Sequence, residues 1–486
     1  MNSKSLFIYI LLSIVATNAA AQNKKDNALF NKLHKEYVLN EDGSIDYRCQ
    51  KEIKLLSIRS FDSDYGESFI IYNPDFQSVK INSVYTLKAN GDKVECPANA
   101  ITESLPYSCT DCQRYNGMRE MIISHTGLEV GGTIYLDYTI HSTPSTMTQI
   151  MENIDFVEFS PVVDYKVTVK TPQNVNLKNR MLNLRLGPTI STDENGNNVY
   201  IWQLTNVEQS SSEAYLPTDM VYPKLIISSY KDTQRAYFEL VNQDAFRNYS
   251  LPECGELLKK LLKDGNNEFE NITAIRDYVV DAIHLNNLNI KYTNYKVSEA
   301  QTTWNSSCGT ALDKAVLLTA MLKEAGYNDA IPVAFISERM HSDEVAPFEL
   351  ITAYAVKVKL NNEDFYLSPV EKNKCSLEFF YNGYMMYPLD ANIDHFISKK
   401  MVPVDNESII NGNITIENDS TISGEINCSV TSSDIQYNVI IDNEERLSSF
   451  VRNIKGTVSD ADIDKTKVDF SMKVDDMTLN RMGNTD

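Results

Sequence analysis

The chain has 486 residues, an ordinary apolar content and a formal net charge of -21. This length allows two to four domains, each with its own buried core. The acidic composition argues against DNA, RNA or anionic lipid head groups as partners, because binding them requires basic patches.

Residues 1–21 have the pattern of an export signal. Lys4 precedes a short apolar core at 6–15, and the small residues Ala19 to Ala21 predict cleavage near Ala21-Gln22. No later run is apolar enough to form a transmembrane segment. We therefore predict an exported, periplasmic protein; the sequence does not indicate its oligomeric state.

Residues 22–235 form the first predicted domain. Segments rich in β-branched and aromatic residues alternate there with turn clusters such as Asn90-Gly91-Asp92 and Gly131-Gly132. Many short strands with such turns are typical of antiparallel sheets, and we predict a β-sandwich-like domain. The predicted strands are 68–72, 79–87, 120–124, 133–141, 165–169 and 225–230.

Residues 236–399 form a predicted α+β domain. A predicted helix over 234–242 lies in the segment that joins it to the first domain, and further helices follow over 254–285. Its central helix spans about 311–325, where Thr310 and Asp313 have capping-box spacing and Gly309 permits a tight turn. Strands at 331–336, 351–360 and 364–367 follow, and Asn361-Asn362 predicts a hairpin turn between the last two.

Residues 400–486 form a predicted β-rich C-terminal domain. Segments 409–416, 421–430, 435–441 and 469–474 read as strands, and 444–453 as a helix. So few strands would leave an open sheet edge, so we expect this domain to be incomplete.

The middle domain resembles bacterial transglutaminase-like domains, which share a papain-like fold. The residues that carry the resemblance are Asp313-Lys314-Ala315 at the helix start and Tyr366-Leu367-Ser368-Pro369 at the end of the hairpin. The β-rich segment before it, with 131–138 and the join at 225–238, resembles a domain of unknown function that precedes the transglutaminase-like domain in exported proteins. The leader and the acidic composition resemble those of Bacteroidetes.

Active members of this family use a Cys, His and Asp triad, in which a thiolate attacks a carbonyl and imidazole moves the proton. Aligning Asp313-Lys314-Ala315 with the family puts Ala311 at the Cys position. The hairpin puts Ala353 at the His position and Ser368 at the Asp position. The resemblance therefore implies a degenerate triad, because a methyl group can neither attack a carbonyl nor move a proton.

The favoured function is therefore a non-catalytic binding or scaffolding role, with a peptide or a glycan in the degenerate cleft and no cofactor or metal. One alternative is a thiol-dependent acyltransferase or peptidase-like hydrolase that uses Cys308, with His341 or His395 as its base. Another is a purely structural cell-envelope protein. The contrasting interpretation of Cys308 is an inert thiol or a disulfide half, with Cys254 or Cys375 as partner.

Two further patterns have both a functional and a structural interpretation. Cys109 and Cys112 have the spacing of a redox or zinc pair, but their polar loop favours a disulfide, within the pair or to Cys96. The tyrosine-rich run 379–387 could bind a ligand by stacking, but core or interface packing is favoured. The acidic pairs Asp343-Glu344 and Glu363-Asp364 are predicted to be solvated.

Overall fold

The computed structural model describes residues 26–144, 146–147, 149–210, 218–372, 377, 381, 383–393, 398–401, 407–417, 421–431, 456–464 and 467–478. The predicted export signal lies outside these residues. None of the helices in these ranges has the length and apolar character needed to cross a membrane.

The N-terminal region is built from many short strands in several sheets. Its strands are β1 (Ala28–Leu39), β2 (Ile45–Leu55), β3 (Glu67–Tyr72), β4 (Gln77–Leu87), β5 (Lys93–Glu95), β6 (Ile101–Ser104), β7 (Arg119–Ser124), β8 (Thr133–Ser142), β9 (Met151–Asp155), β10 (Val162–Thr171), β11 (Lys178–Leu182), β12 (Thr189–Thr192), β13 (Asn198–Val207) and β14 (Lys224–Ser228). Short 3-10 or π turns occur at Ser60–Asp64, Ala98–Ala100, Tyr107–Cys109 and Gln113–Tyr115.

An eight-stranded sheet with the order β12-β13-β10-β1-β2-β8-β4-β5 dominates this region. Strand β1 pairs antiparallel with β2 but parallel with β10. The predicted antiparallel pairing therefore holds only in part, because the pair of β1 and β10 is parallel. A parallel pair needs a long crossover, and here the chain between the two partners contains most of the region's other strands. Local turn signals cannot reveal such a pairing.

Two three-stranded sheets, β3-β7-β6 and β11-β14-β9, accompany the large sheet. One apolar core contains side chains from all three sheets, including fully buried Tyr165, Phe156 and Trp202. Burying large aromatic rings removes much apolar area from water, and this shared core holds the sheets together. The N-terminal region is thus a multi-sheet β-rich unit.

The middle segment combines helices with a small sheet. Its helices are α1 (Thr218–Val221), α2 (Thr233–Val241), α3 (Gly255–Leu261), α4 (Glu268–Ala282), α5 (Ala300–Ser306) and α6 (Ala311–Glu324). Its strands are β15 (His284–Leu285), β16 (Cys308–Gly309), β17 (Ile331–Ser337), β18 (Ala353–Leu360), β19 (Glu363–Leu367), β20 (Tyr384–Pro388) and β21 (Lys399–Lys400). Short 3-10 turns lie at Asp244–Phe246, Pro252–Cys254, Ile290–Thr293 and Phe348–Leu350.

Helix α6 is the central element of this segment. The predicted capping box is confirmed: Thr310 accepts from the Asp313 backbone N–H, and the Asp313 side chain accepts from the Thr310 N–H. A Cβ on Gly309 would lie 2.8 Å from the Asp313 Cβ, so glycine is required for this close approach. Every residue from 312 to 322 is buried, and the helix ends before Gly326, whose φ is +100°.

The hairpin that follows is also confirmed. Strands β18 and β19 pair antiparallel around Asn361 and Asn362, whose φ values are 49° and 68°. Two left-handed residues match the right-handed twist of the flanking strands. The hairpin forms one side of the five-stranded sheet β19-β18-β17-β20-β21, which lies against α6 and completes the α+β segment.

The C-terminal region contains a four-stranded antiparallel sheet with the order β22-β23-β25-β24. Its strands are β22 (Glu407–Glu417), β23 (Thr421–Thr431), β24 (Gly456–Asp464) and β25 (Lys467–Thr478). Three predicted strands lie within β22, β23 and β25. Strand β24 was missed, because its acidic alternation conceals the strand pattern. The predicted strand 435–441 and helix 444–453 lie outside the described residues.

The described tyrosines of the run 379–387 pack inside the protein, and the acidic residues Asp343 and Asp364 carry exposed or paired charges. Both findings agree with the structural interpretations of these patterns. Tyr387 is fully buried, and the Tyr381 ring stacks on Phe335 with centroids 4.5 Å apart. The Asp343 side chain is 84% exposed. The Asp364 carboxylate lies 2.8 Å from the Lys359 ammonium, as expected for a pair of charges on a strand surface.

Candidate functional site

Ala311, Ala353 and Ser368 line one cavity of about 460 Å³. Ala311 is the first residue of α6, Ala353 begins β18, and Ser368 directly follows β19. These positions come from three different elements and are distant in sequence, yet the fold brings them together. We call this cavity the cleft.

The Asp313 carboxylate organises the backbone at the start of the cleft. Its Oδ2 accepts from the Thr310 N–H at 2.9 Å and from the Tyr115 hydroxyl at 2.7 Å, and its Oδ1 accepts from the Ser298 N–H at 2.7 Å. Asp313 is 1% exposed. Burial and this carboxylate raise the pKa of Tyr115. One buried side chain thus fixes the helix start, the preceding loop and a residue of the N-terminal region.

Lys314, the next residue, is buried, and its side chain also hydrogen-bonds to the backbone. Its Nζ donates to the Ile283 carbonyl at 2.6 Å, at the C-terminal end of α4. Burial lowers the pKa of Lys314 to about 8. The last carbonyls of a helix need such donors, so the Asp-Lys-Ala motif has a structural role in this chain.

The polar side chains that line the cleft are amides, hydroxyls and the two carboxylates of Glu349 and Glu371. Asn286 is 1% exposed, and neither of its side-chain amide atoms meets the geometry of a hydrogen bond, although the Cys109 thiol lies beside it. The Ser368 hydroxyl accepts from the Val370 and Glu371 N–H groups at 3.2 and 3.1 Å. None of the described residues that line the cleft is a cysteine or a histidine.

Cys308 lies just before the cleft but is covalently paired. Its sulfur is bonded to Cys112, whereas Cys254 is a buried free cysteine and Cys375 lies outside the described residues. Both predicted partners of Cys308, Cys254 and Cys375, are therefore wrong, although the interpretation as a disulfide half is confirmed. A disulfide sulfur carries no thiolate, so Cys308 cannot act as a nucleophile in this state.

The predicted pairing of Cys112 with Cys109 or Cys96 is corrected by the same bond, because both of these are free thiols. Cys109 is fully buried, and burial raises the pKa of its thiol. The described residues contain no group of three His, Cys, Asp or Glu side chains able to hold a metal ion.

Of the two histidines proposed as bases, the structure describes only His341, which lies outside the cleft. The His341 ring hydrogen-bonds to the Tyr387 hydroxyl at 2.5 Å and lies 3.5 Å from Asp343, and burial lowers its pKa. It is absent from the cleft lining. His395 lies outside the described residues.

Residues 41–210 match the family model DUF3857, a domain of unknown function with a solved structure. The predicted N-terminal domain of unknown function is thus confirmed over these residues. The fold is similar to a crystal structure from Parabacteroides distasonis, of a protein provisionally described as a protease. The two chains are 25% identical, with a TM-score of 0.69 over 93% of this chain and 94% of that one. No curated protein matches the chain.

A second cavity, of about 540 Å³, lies between the N-terminal sheets and the middle segment. It contains a charge cluster that sequence reasoning missed: the Lys291 Nζ lies 3.9 Å from Glu152 and 3.7 Å from Glu349. The three residues are far apart in sequence and belong to no motif. Only long-range folding brings them together, so no local pattern could have revealed the cluster.

Proposed function

We propose that residues 236–399 form a transglutaminase-like domain with a papain-like core, whose cleft binds a peptide without cleaving it. The observation that carries the proposal is that Ala311, Ala353 and Ser368 line one cavity. The family resemblance assigned these positions separately, from the helix start and from the hairpin. Their convergence supports both the domain type and the triad register.

The chemistry of these side chains supports binding without bond cleavage. Acyl transfer needs a nucleophile within hydrogen-bond reach of a base. At the three positions the cleft offers two methyl groups and one hydroxyl, and this hydroxyl accepts two backbone N–H groups. The proposed domain thus has the scaffold of a thiol enzyme, but its side chains at these three positions can contact a ligand without reacting with it.

The walls of the cleft favour a peptide over a glycan. Aliphatic side chains, among them Leu285, Leu288 and Ile351, outnumber the aromatic ones, and Asn286 offers both a donor and an acceptor. Aliphatic pockets accept peptide side chains, and amides pair with the peptide backbone. Sugar rings instead favour walls rich in aromatic faces.

We also propose that the protein is exported to the periplasm. The leader at residues 1–21 motivates this proposal, and the disulfide between Cys112 and Cys308 supports it. Disulfides persist in oxidising compartments and are rare in the reducing cytosol.

The test is to pan a phage library of random heptapeptides on the mature chain from Gln22 onward and to measure the affinity of enriched peptides. Ala311→Trp should weaken binding about tenfold or more, because the indole fills the cleft where the helix begins. Ala325→Trp, at the far end of α6, is the matched control and should bind normally. Mass spectrometry should recover the bound peptides intact.

Absence of enriched peptides, or equal binding by the Ala311→Trp variant, would refute the proposed site. Cleavage of a bound peptide would refute its non-catalytic character instead. The relative described provisionally as a protease is the observation that favours this second outcome. A thiol mechanism through Cys308 would further require cleavage to appear on reduction and to vanish in Cys308→Ala.

A further inference from the structure

The second cavity has walls from two parts of the fold. Strands β1, β2, β8 and β9 contribute one side, and the segment around Lys291 and Tyr295 contributes the other, together with Glu349. The Asn73 side chain donates to the Tyr292 carbonyl at 3.0 Å and joins the two sides. A volume of about 540 Å³ is in the range of small-molecule sites.

The charged groups of this cavity have incomplete hydrogen bonding. The Glu349 side chain is 3% exposed, and its Oε2 accepts from the Asn153 backbone and side-chain N–H groups at 3.0 and 2.9 Å. Its Oε1 has no hydrogen-bond partner, since the Lys291 ammonium is 3.7 Å away. A buried carboxylate oxygen without a donor is costly, and a donor from a ligand would relieve that cost.

The Tyr295 hydroxyl is a second buried polar group of this cavity that lacks a hydrogen bond. Tyr295 is 6% exposed. Its φ is 60° and that of Asn294 is 48°, left-handed values that are rare for non-glycine residues. The Gln243 side chain holds this conformation by donating to the Tyr295 carbonyl at 2.8 Å.

Aromatic rings cover part of the opposite wall. Tyr37 and Tyr47 face each other across β1 and β2 with centroids 4.9 Å apart, and Tyr138 lies 6.2 Å beyond Tyr47. All three line the cavity. Rings grouped in this way provide flat apolar faces beside hydrogen-bonding groups.

The charges that face the cavity come close to cancelling. Lys291 and Lys35 oppose Glu349 and Glu158, and the Asp155 carboxylate is paired with Lys224 at 2.7 Å. Burial, followed by the negative charge of Glu349, raises the pKa of Glu152 to about 8, which favours the neutral, protonated form of this carboxyl. The site therefore offers donors and acceptors without a strong net charge, which disfavours anions and cations alike.

We propose that this cavity binds a neutral saccharide, with Lys291 and Glu349 pairing with its hydroxyls and the rings of Tyr37, Tyr47 and Tyr138 packing against its C–H faces. Sugar hydroxyls both donate and accept, so they match the mixed groups of the wall. The site is separate from the proposed peptide cleft, although Glu349 lines both.

The test is binding of the mature chain to an array of neutral mono- and oligosaccharides of glucose, galactose, mannose and N-acetylglucosamine, with uronic acids and amino sugars as charged probes. At least one neutral saccharide should bind. Lys291→Met and Tyr47→Leu should each weaken it about tenfold or more. Lys259→Met, an exposed lysine, should not change it.

The Ala311→Trp variant should retain saccharide binding while losing peptide binding, so the two proposals fail separately. Tyr47→Leu keeps an apolar side chain and carries the test if Lys291→Met does not fold. The proposal is overturned if no neutral saccharide binds, if only charged probes bind, or if the folded variants bind as the wild type does.

Discussion

At the residue scale, Asp313 illustrates how one side chain supports both fold and site. It is both the N3 residue of a capping box and the buried acceptor for Tyr115 and Ser298. A capping residue at the surface serves only its own helix. Asp313 also ties the helix start to the N-terminal region.

Asp313→Ala should therefore lower the free energy of unfolding by about 2–4 kcal/mol, because three buried donors lose their acceptor. The matched control is Asp232→Ala, which removes the more exposed N-cap of α2 and should cost about 1 kcal/mol. Urea unfolding of both variants measures the difference. Equal losses would show that the buried contacts of Asp313 add nothing to its capping role.

Glu152 should give the protein a measurable pH dependence. Its pKa is raised to about 8 in the folded state, so between pH 5 and 8 the folded chain holds a proton that the unfolded chain has released. Raising the pH through this window therefore favours unfolding. The Glu152→Gln side chain stays neutral at every pH. Between pH 5 and 8 the free energy of unfolding of this variant should therefore fall less than that of the wild type, by on the order of 2 kcal/mol.

Thermal unfolding at several pH values between 5 and 8 checks this prediction. The control is Glu194→Gln in an exposed turn, which should follow the wild-type profile. Parallel profiles for wild type and Glu152→Gln would mean that Glu152 is ionised in the folded protein.

At the element scale, the loop that contains Tyr107–Cys109 and Gln113–Tyr115 attaches to the turn before α6. The attachment is covalent through Cys112 and Cys308, and it is extended by the hydrogen bond from Tyr115 to Asp313. Cys109, Met118 and Leu288 pack around the disulfide in a small apolar cluster. A loop of the N-terminal region thus holds the base of the cleft in place.

Replacing both cysteines, Cys112→Ala with Cys308→Ala, should lower stability by about 2–4 kcal/mol, because the cross-link closes a long loop. Cys49→Ala with Cys254→Ala is the matched control, since it removes two buried sulfurs without a cross-link. A reducing agent should destabilise the wild type and the control pair but leave the first pair unchanged. Insensitivity of the wild type to reduction would contradict a structural disulfide.

The elements differ in how far the sequence could predict them. The capping box at Thr310 and the turn at Asn361 were predictable, because each depends on residues within one turn of chain. The parallel pairing of β1 with β10 and the bond between Cys112 and Cys308 were not, since both join distant segments. The cleft positions were found only because a family resemblance supplied long-range information.

At the scale of the whole molecule, the N-terminal sheets and the middle segment meet at two places. One is the disulfide-linked loop beside the cleft, and the other is the tyrosine-lined cavity. The short turn Phe348–Leu350 lies between the two cavities, and its Glu349 lines both. Under the two proposals, the chain would present a peptide site and a saccharide site on either side of this turn.

Under the proposed function, Ala311 occupies the position of a catalytic cysteine, open to the cleft at the start of α6. The most direct test is the iodoacetamide reactivity of Ala311→Cys, with Ala325→Cys at the other end of the helix as control and the wild type as background. The helix dipole should lower the pKa of a thiol at 311 below its usual value of about 8.5 and raise its reactivity at neutral pH above that of the control. A thiol at 311 that labels no faster than one at 325 would contradict the account.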